Sequence, residues 1–168
     1  MARKLGVNAT QRIALIKNQS SALLWYGKIK TTEDRAKEVA SYVAKIITLA
    51  LNTYTDTVEE SVTVKEKGKE VQKTLIKDGV KKLNARRKIM TLVNDLQEVK
   101  GFKESKPDFK ARTKAIKYPL IEKIFDEYAP KYAARKEENN GIGGGYTRIY
   151  KLGERKGDAA SVAIIELV

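Results

Sequence analysis

The groups able to do chemistry in this chain are lysines, arginines and carboxylates, because histidine and cysteine are both absent. Loss of imidazole removes the usual acid/base group at neutral pH, the commonest metal ligand and every triad built on it. Loss of the thiol removes disulfides and thiolate metal sites and fits a reducing compartment. Glu59-Glu60 and Glu137-Glu138 are adjacent acids, but each pair lies in a polar stretch where water keeps both carboxylates ionised and ordinary. The run Asn139-Asn140-Gly141-Ile142-Gly143-Gly144-Gly145 invites comparison with a phosphate loop. It lacks the Lys-Ser/Thr ending, and the third glycine of a dinucleotide fingerprint would fall on Tyr146. It also follows a helix and enters a strand, the reverse of the order such loops need. It reads as a linker. No enzyme activity, cofactor, metal site or small-molecule substrate is expected.

The cations form the better-organised chemistry. Lys81, Lys82, Arg86, Arg87 and Lys88 spread around the first turns of one expected helix. Arg3, Lys4, Arg12, Lys17, Lys28 and Lys30 fall within the first 32 residues, which contain no acid. Both groups suit backbone phosphates, with arginine preferred for bidentate contacts. Tyr146, Arg148 and Tyr150 alternate along one expected strand face, where Arg148 can point at RNA and a tyrosine can stack on a base or sugar. Packing of both tyrosines on helices is the plain alternative. The loop beyond offers Arg155 and Lys156 beside glycines that let backbone approach a phosphate. Trp25-Tyr26 reads as core or interface.

Residues 1–9 are polar and aperiodic and read as an extended arm. Thr10 is positioned to cap a helix to about Tyr26, with Ile13, Ile16, Ser20, Leu23 and Leu24 on one face and Gly27 closing it. Lys28-Ile29-Lys30-Thr31 suits a short strand with one buried residue. Thr31-Thr32-Glu33-Asp34 resembles a capping box, and Ala36, Val39, Ala40, Val43, Ile46, Ile47, Ala50 and Leu51 then form a core stripe at helical spacing. Val58, Val62 and Val64, then Val71, Lys73 and Leu75, read as an exposed hairpin turning at Lys65-Glu66-Lys67-Gly68-Lys69 and ended by Asp78-Gly79. A long helix is expected from about Val80 to Val99, carrying Leu83, Met90, Val93 and Leu96. An irregular basic connection follows over 100–118. Pro119 then opens a helix with Leu120, Ile124, Phe125 and Tyr128. Tyr146–Leu152 and Ala159–Val168 form a final hairpin.

Charge narrows the partner. Thirty-four Lys and Arg against 21 Asp and Glu give +13, a self-repulsion that a polyanion relieves. No apolar run approaches the roughly 20 residues of a membrane span, and the N-terminus lacks a signal-peptide core, so nucleic acid is favoured over a membrane. The excess is local. Residues 52–80 carry six acids against five lysines.

Several stretches together resemble the bacterial ribosomal protein L17 family of the large subunit. They are Arg3-Lys4-Leu5, Arg12-Ile13-Ala14-Leu15-Ile16-Lys17-Asn18, Ile29-Lys30-Thr31-Thr32 with Arg35-Ala36-Lys37-Glu38, Ile47-Thr48-Leu49-Ala50 and Arg86-Arg87. Ile124-Phe125 with Pro130-Lys131-Tyr132 follows, and then Gly144-Gly145-Tyr146-Thr147-Arg148-Ile149, Gly157-Asp158-Ala159-Ala160 and Ile165-Glu166-Leu167-Val168. The ordered set spans nearly the whole chain and is most specific from Gly144 to Val168. The resemblance implies one two-layer α+β domain over 1–168, with helices packed on a small sheet made from the early strand and the C-terminal hairpin. Insertions are expected at 53–79 (a β-hairpin) and 98–118 (an irregular link). It further implies a structural, non-enzymatic, cytoplasmic protein of the ribosome that binds 23S ribosomal RNA beside neighbouring proteins near the tunnel-exit side. The expected RNA contacts are Arg3, Lys4, Arg12, Lys17, Asn18, Lys28, Lys30, Arg35, Arg86, Arg87, Lys88, Tyr146, Arg148, Arg155 and Lys156. Departures from the family pattern fall at Val7, Gln11, Lys17 and Trp25-Tyr26-Gly27.

Two other readings make different predictions. A non-ribosomal architectural protein would bind DNA and RNA duplexes alike, and a nucleotide-dependent enzyme would be stabilised by nucleoside triphosphate. The ribosomal reading requires Arg12, Arg86 and Arg148 to serve one folded polynucleotide.

Overall fold

The computed structural model of the chain describes residues 4–66 and 69–168, without the side chains of 63–73. Arg3 and the expected turn residues Lys67 and Gly68 lie outside that description. Helix α1 (Ala9–Tyr26) is capped by Asn8, whose side-chain oxygen accepts the Gln11 N–H at 2.8 Å, and not by Thr10. Ile13 is exposed, contrary to its expected place on the buried face. The fully buried part of α1 begins only at Ser20 and continues through Ser21, Leu23 and Leu24. Gly27, at φ 79°, ends the helix with its N–H on the Leu23 carbonyl at 2.9 Å.

Strand β1 (Lys28–Thr32) leads directly into α2 (Glu33–Leu51). The expected capping box does not form. Thr32 stands at the cap position without a side-chain bond, and the Thr31 hydroxyl donates instead to Gln19 Oε1 at 3.3 Å. The α2 stripe is as expected: Ala36, Val39, Val43, Ile46, Ile47, Ala50 and Leu51 are buried and Ala40 is half-buried. Burial of each such Val, Leu or Ile favours folding by about 1.5–3 kcal/mol, so α2 is the spine of the domain.

Strands β2 (Thr57–Glu66) and β3 (Lys69–Asp78) pair only with each other, from Thr57 opposite Asp78 outward. Val58, Leu75 and Ile76 are exposed, as expected for an exposed hairpin. Helix α3 (Val80–Leu92) stops seven residues short of the expected Val99. Its ladder ends because Val93 turns extended (φ −118°, ψ 159°). The Leu92 carbonyl accepts the Tyr42 hydroxyl at 3.0 Å, and the Asn94 N–H goes to Ser21 Oγ at 2.8 Å. Its buried face is Ala85 and Ile89, followed by Val93. Leu83 and Met90 remain exposed.

The connection over 100–118 is not irregular throughout. It contains α4 (Lys106–Thr113), capped by Ser105 Oγ on the Asp108 N–H at 3.2 Å and opened by Pro107. Helix α5 (Pro119–Lys123) continues through a π-turn (Ile124–Tyr128) into α6 (Ala129–Glu138). Pro130 supplies the cause: it lacks an N–H and its ring crowds the preceding turn, so the helix widens until Ala129 reaches the Ile124 carbonyl. The widened turn buries Ile124, Phe125 and Tyr128. The Tyr128 hydroxyl donates to the Leu24 carbonyl at 2.8 Å.

Strands β4 (Thr147–Glu154) and β5 (Ser161–Leu167) close the sheet in the antiparallel order β1-β5-β4. Ile165 stands between Ile29 and Ile149 across the strands, and with Ala163 it faces α2. The expected α+β layering, early strand beside C-terminal hairpin, is therefore the observed one.

Candidate nucleic-acid interface

Gly27 reverses the chain so that β1 runs back beside α1, and α2 starts without a loop. This brings the acid-free first 32 residues to the edge of the β4–β5 loop. One concavity there is lined by Gln19, Lys30, Thr32, Arg35, Gly153 and Arg155, among others. A second, sharing Thr32 and Arg35, is lined by Lys4, Leu5, Gly6 and Asp34. Lys4, Lys30 and Arg35 make no ion pair among the described residues, so their charge is open to an outside anion.

The β4–β5 loop is held in shape from within. The β4 register slips between Lys151 and Gly153, and Gly153 takes φ 93°, a left-handed value that suits glycine at a bulge. Arg155 then clamps Asp158 through two bonds, Nε to Oδ1 at 2.7 Å and Nη2 to Oδ2 at 2.5 Å. With the Ala160 N–H also donating to it, the Asp158 carboxyl is held down to about 2. Lys156 is exposed beside this clamp. Lys151 does not join the cleft cations, because Glu33 takes it at 3.1 Å and takes Lys37 at 2.6 Å. Those two ammonium groups hold the Glu33 carboxyl below its usual range.

The sheet face turned away from the helices extends the cationic surface. Lys28 and Arg148 flank Glu166 in register, and Lys30 and Tyr150 flank Ile164. The Tyr150 hydroxyl donates to Glu166 Oε1 at 2.8 Å and helps to hold the Arg148 guanidinium in its charged form. Lys28, Lys30, Arg148 and Tyr150 are exposed. On α1, Arg12 and Lys17 are half-buried and Asn18 is exposed.

Two expected contacts are corrected. Tyr146 is buried and does not share the exposed face of Arg148 and Tyr150. It precedes β4, packs edge-on against Tyr132 at 4.9 Å, and its hydroxyl meets Thr48 Oγ1 at 3.4 Å. Arg86 is turned inward. It binds Glu122 through both terminal nitrogens, reaches Asp78 at 3.2 Å and lies 5.6 Å from the Phe125 ring centre. Burial pulls its pKa down, and Glu122, Asp78 and Asp126 more than offset that, so the net movement is upward. The expectation that Arg12, Arg86 and Arg148 serve one polynucleotide therefore fails at Arg86, and the RNA reading no longer rests on it. Arg87 and Lys88 are exposed on the same helix, and Lys88 borders the α2–α3 groove with Lys45 and Thr48.

Gln19, Thr32 and Gly153 line the cleft and were not among the expected contacts. The Thr31–Gln19 hydrogen bond joins β1 to α1, and only the reversal at Gly27 creates it. Among the described residues, no group of His, Cys, Asp or Glu is arranged to hold a metal ion, and no helix is long and apolar enough to cross a membrane.

Residues 15–168 match the family described as Ribosomal protein L17. A Lachnospira eligens protein named Large ribosomal subunit protein bL17 is 40% identical over 186 aligned residues, covering 99% of this chain and 98% of the relative. Proteins of the same name from Acetivibrio thermocellus (35% identical, 99% and 98% covered) and Clostridium botulinum (34%, 99% and 96%) are also similar.

Proposed function

The chain belongs to the ribosomal protein L17 family, and from that premise we propose how it serves as a structural constituent of the large ribosomal subunit. It binds 23S ribosomal RNA through the surface formed by the N-terminal arm, α1, β1, the start of α2 and the β4–β5 loop. Lys4, Lys30 and Arg35 neutralise backbone phosphates, with Arg155 and Lys156 at the loop, Lys28 and Arg148 on the outer sheet face, and Arg12, Lys17 and Asn18 along α1. Arg87 and Lys88 make a separate contact from α3. The helical core fixes these positions, and the bound protein supports subunit assembly beside neighbouring proteins near the tunnel-exit side, in the cytoplasmic ribosome. The hairpin at 53–79 and the link at 98–118 are additions to one domain. The family is one of structural ribosomal proteins, and no catalytic step is proposed.

One observation carries this reading: among the described residues no carboxylate pairs Lys4, Lys30 or Arg35, which border adjoining concavities whose lining also includes Asp34 and Glu154. Neutralising 6–10 phosphates on a DNA duplex costs about 10³–10⁵ in affinity between 50 and 200 mM salt, with a shallower slope on single strands. A steep loss of the same kind is expected for binding to 23S ribosomal RNA, measured by titration across that salt range. A flat response, or recovery of tagged protein only in free, low-mass fractions on sedimentation with large subunits, would overturn the reading.

A further inference from the structure

We propose that Phe102 is a stacking residue for an unpaired base of the large-subunit RNA, presented by a rigid turn outside the basic cleft. Phe102 is fully exposed, at 101% of its reference area. Single exposed apolar residues are common, and exposure alone would mean little. The turn that carries it is what distinguishes Phe102. Phe102 and Lys103 are the central residues of a turn closed by the Glu104 N–H on the Gly101 carbonyl at 3.2 Å. The Gly101 N–H in return donates to Glu104 Oε2 at 3.0 Å. Arg112, on α4, binds the same Glu104 at 3.1 Å and also Glu98, so the turn is tied on both sides to the helix behind it. An exposed side chain on a prearranged base loses little further freedom on binding.

The charge around the turn selects the ligand. Residues 98–118 contain three acids, Glu98, Glu104 and Asp108. Arg112 takes the first two, and Ser105 donates to the third at 2.5 Å. Lys100, Lys103, Lys106, Lys110 and Lys114 make no ion pair among the described residues. Arg112 thus neutralises Glu98 and Glu104, Asp108 stays exposed at the start of α4, and the five lysines leave the segment net cationic. An apolar protein pocket would gain nothing from these ammonium groups. An unpaired base offers a face to the phenyl ring and neighbouring phosphates to Lys100 and Lys103.

The inference rests on the RNA-binding reading above, and the test separates the two. Full-length Phe102→Ala, Phe102→Leu and Phe102→Trp are titrated against 23S ribosomal RNA at fixed salt, beside the double variant Lys30→Ala/Arg35→Ala. Base–aromatic stacking predicts a loss of roughly 5- to 150-fold for alanine, with the salt slope unchanged. It predicts a similar loss for leucine and wild-type binding for tryptophan. Thermal melting should not move, since the ring touches no core. Wild-type binding by the alanine variant, while the cleft variant weakens, would overturn the stacking role and leave the cleft reading intact. If leucine binds as well as phenylalanine, apolar contact without ring stacking accounts for the affinity and the proposal is wrong. If the cleft variant is also neutral, the RNA reading itself falls first.

Discussion

The chain leading up to α2 and the start of α3 both carry many cations, and they differ in what those cations face. Both regions are rich in lysine and arginine. Beside β1 and α2, the chain from residue 1 to 32 supplies no acid, and Lys4, Lys30 and Arg35 stay unpaired among the described residues. On α3, Asp78 takes Lys82 at 3.1 Å and Arg86 at 3.2 Å, and Glu122 takes Arg86 from the opposite side. Even the positive end of the helix is engaged: Asp56 accepts the Lys81 and Lys82 N–H groups at 2.8 and 3.2 Å. The lesson is that a count of cations measures attraction to a polyanion only after internal carboxylates are subtracted.

The largest effect separating the two regions is expected at Arg86. Arg86→Ala leaves Glu122 without its partner and Asp78 with Lys82 alone in a partly buried site, and should cost about 2 kcal/mol. Calorimetry should then show Tm lower by about 4–8 °C for a chain of this size. The salt slope of RNA binding should stay at its wild-type value, since that charge is already neutralised within the protein. An altered slope with unchanged Tm would mean Arg86 works on RNA and the contrast between the regions is false.

Lys30→Ala/Arg35→Ala should behave in the opposite way. Two unpaired cations removed from phosphates lower the slope of log K against log salt by nearly 2, and the affinity near 0.1 M salt by about tenfold or more. Melting should barely shift. Loss of stability without a change in slope would return these residues to a structural role.

Gly79→Ala tests the engaged helix end, with a smaller effect. A Cβ there would fall 2.4 Å from Asp56 Oδ2, so the carboxylate must move off the α3 amides it caps. Loss of such a cap costs about 1 kcal/mol, a Tm decrease of about 2–4 °C, with RNA binding unchanged.

How far these differences could be read from sequence depends on the range of the contact involved. The α2 stripe was legible because its spacing alone dictates burial, and the acid-free N-terminal region was legible because no local partner exists. Arg86 reads as a phosphate ligand from sequence because its partner Glu122 lies 36 residues away. The overlong α3 came from Val93 and Leu96 falling at helical spacing, whereas Ser21 and Tyr42, 73 and 50 residues distant, decide where the ladder stops. Helix α4 buries nothing and shows no stripe, so only Ser105, Pro107 and Asp108 spell its start. Tyr146 fits the strand alternation, but it precedes β4 beside Gly145 at φ 61°, and the backbone there turns its ring into the core.

Arg155 stands between the two classes and gives the finest test of the contrast. It lines the cleft, yet Asp158 holds its guanidinium through two bonds. The Asp158 carboxyl, lowered from 3.8 to about 2 by Arg155 and then by the Ala160 N–H, reports the clamp directly. Because the folded value is the depressed one, the pairing is fully present above about pH 3.8 and is lost as pH falls through about 2. A carboxyl NMR titration should therefore show Asp158 with a midpoint near 2, moving up toward 3.8 in Arg155→Ala. If internal pairing governs availability, Arg155→Ala should lower the RNA salt slope by clearly less than the ~0.9 expected for Arg35→Ala, and Asp158→Asn should raise it. Equal losses at Arg155 and Arg35 would mean that RNA draws Arg155 away from Asp158, and pairing seen in the free protein would then be no guide to which cations meet phosphate.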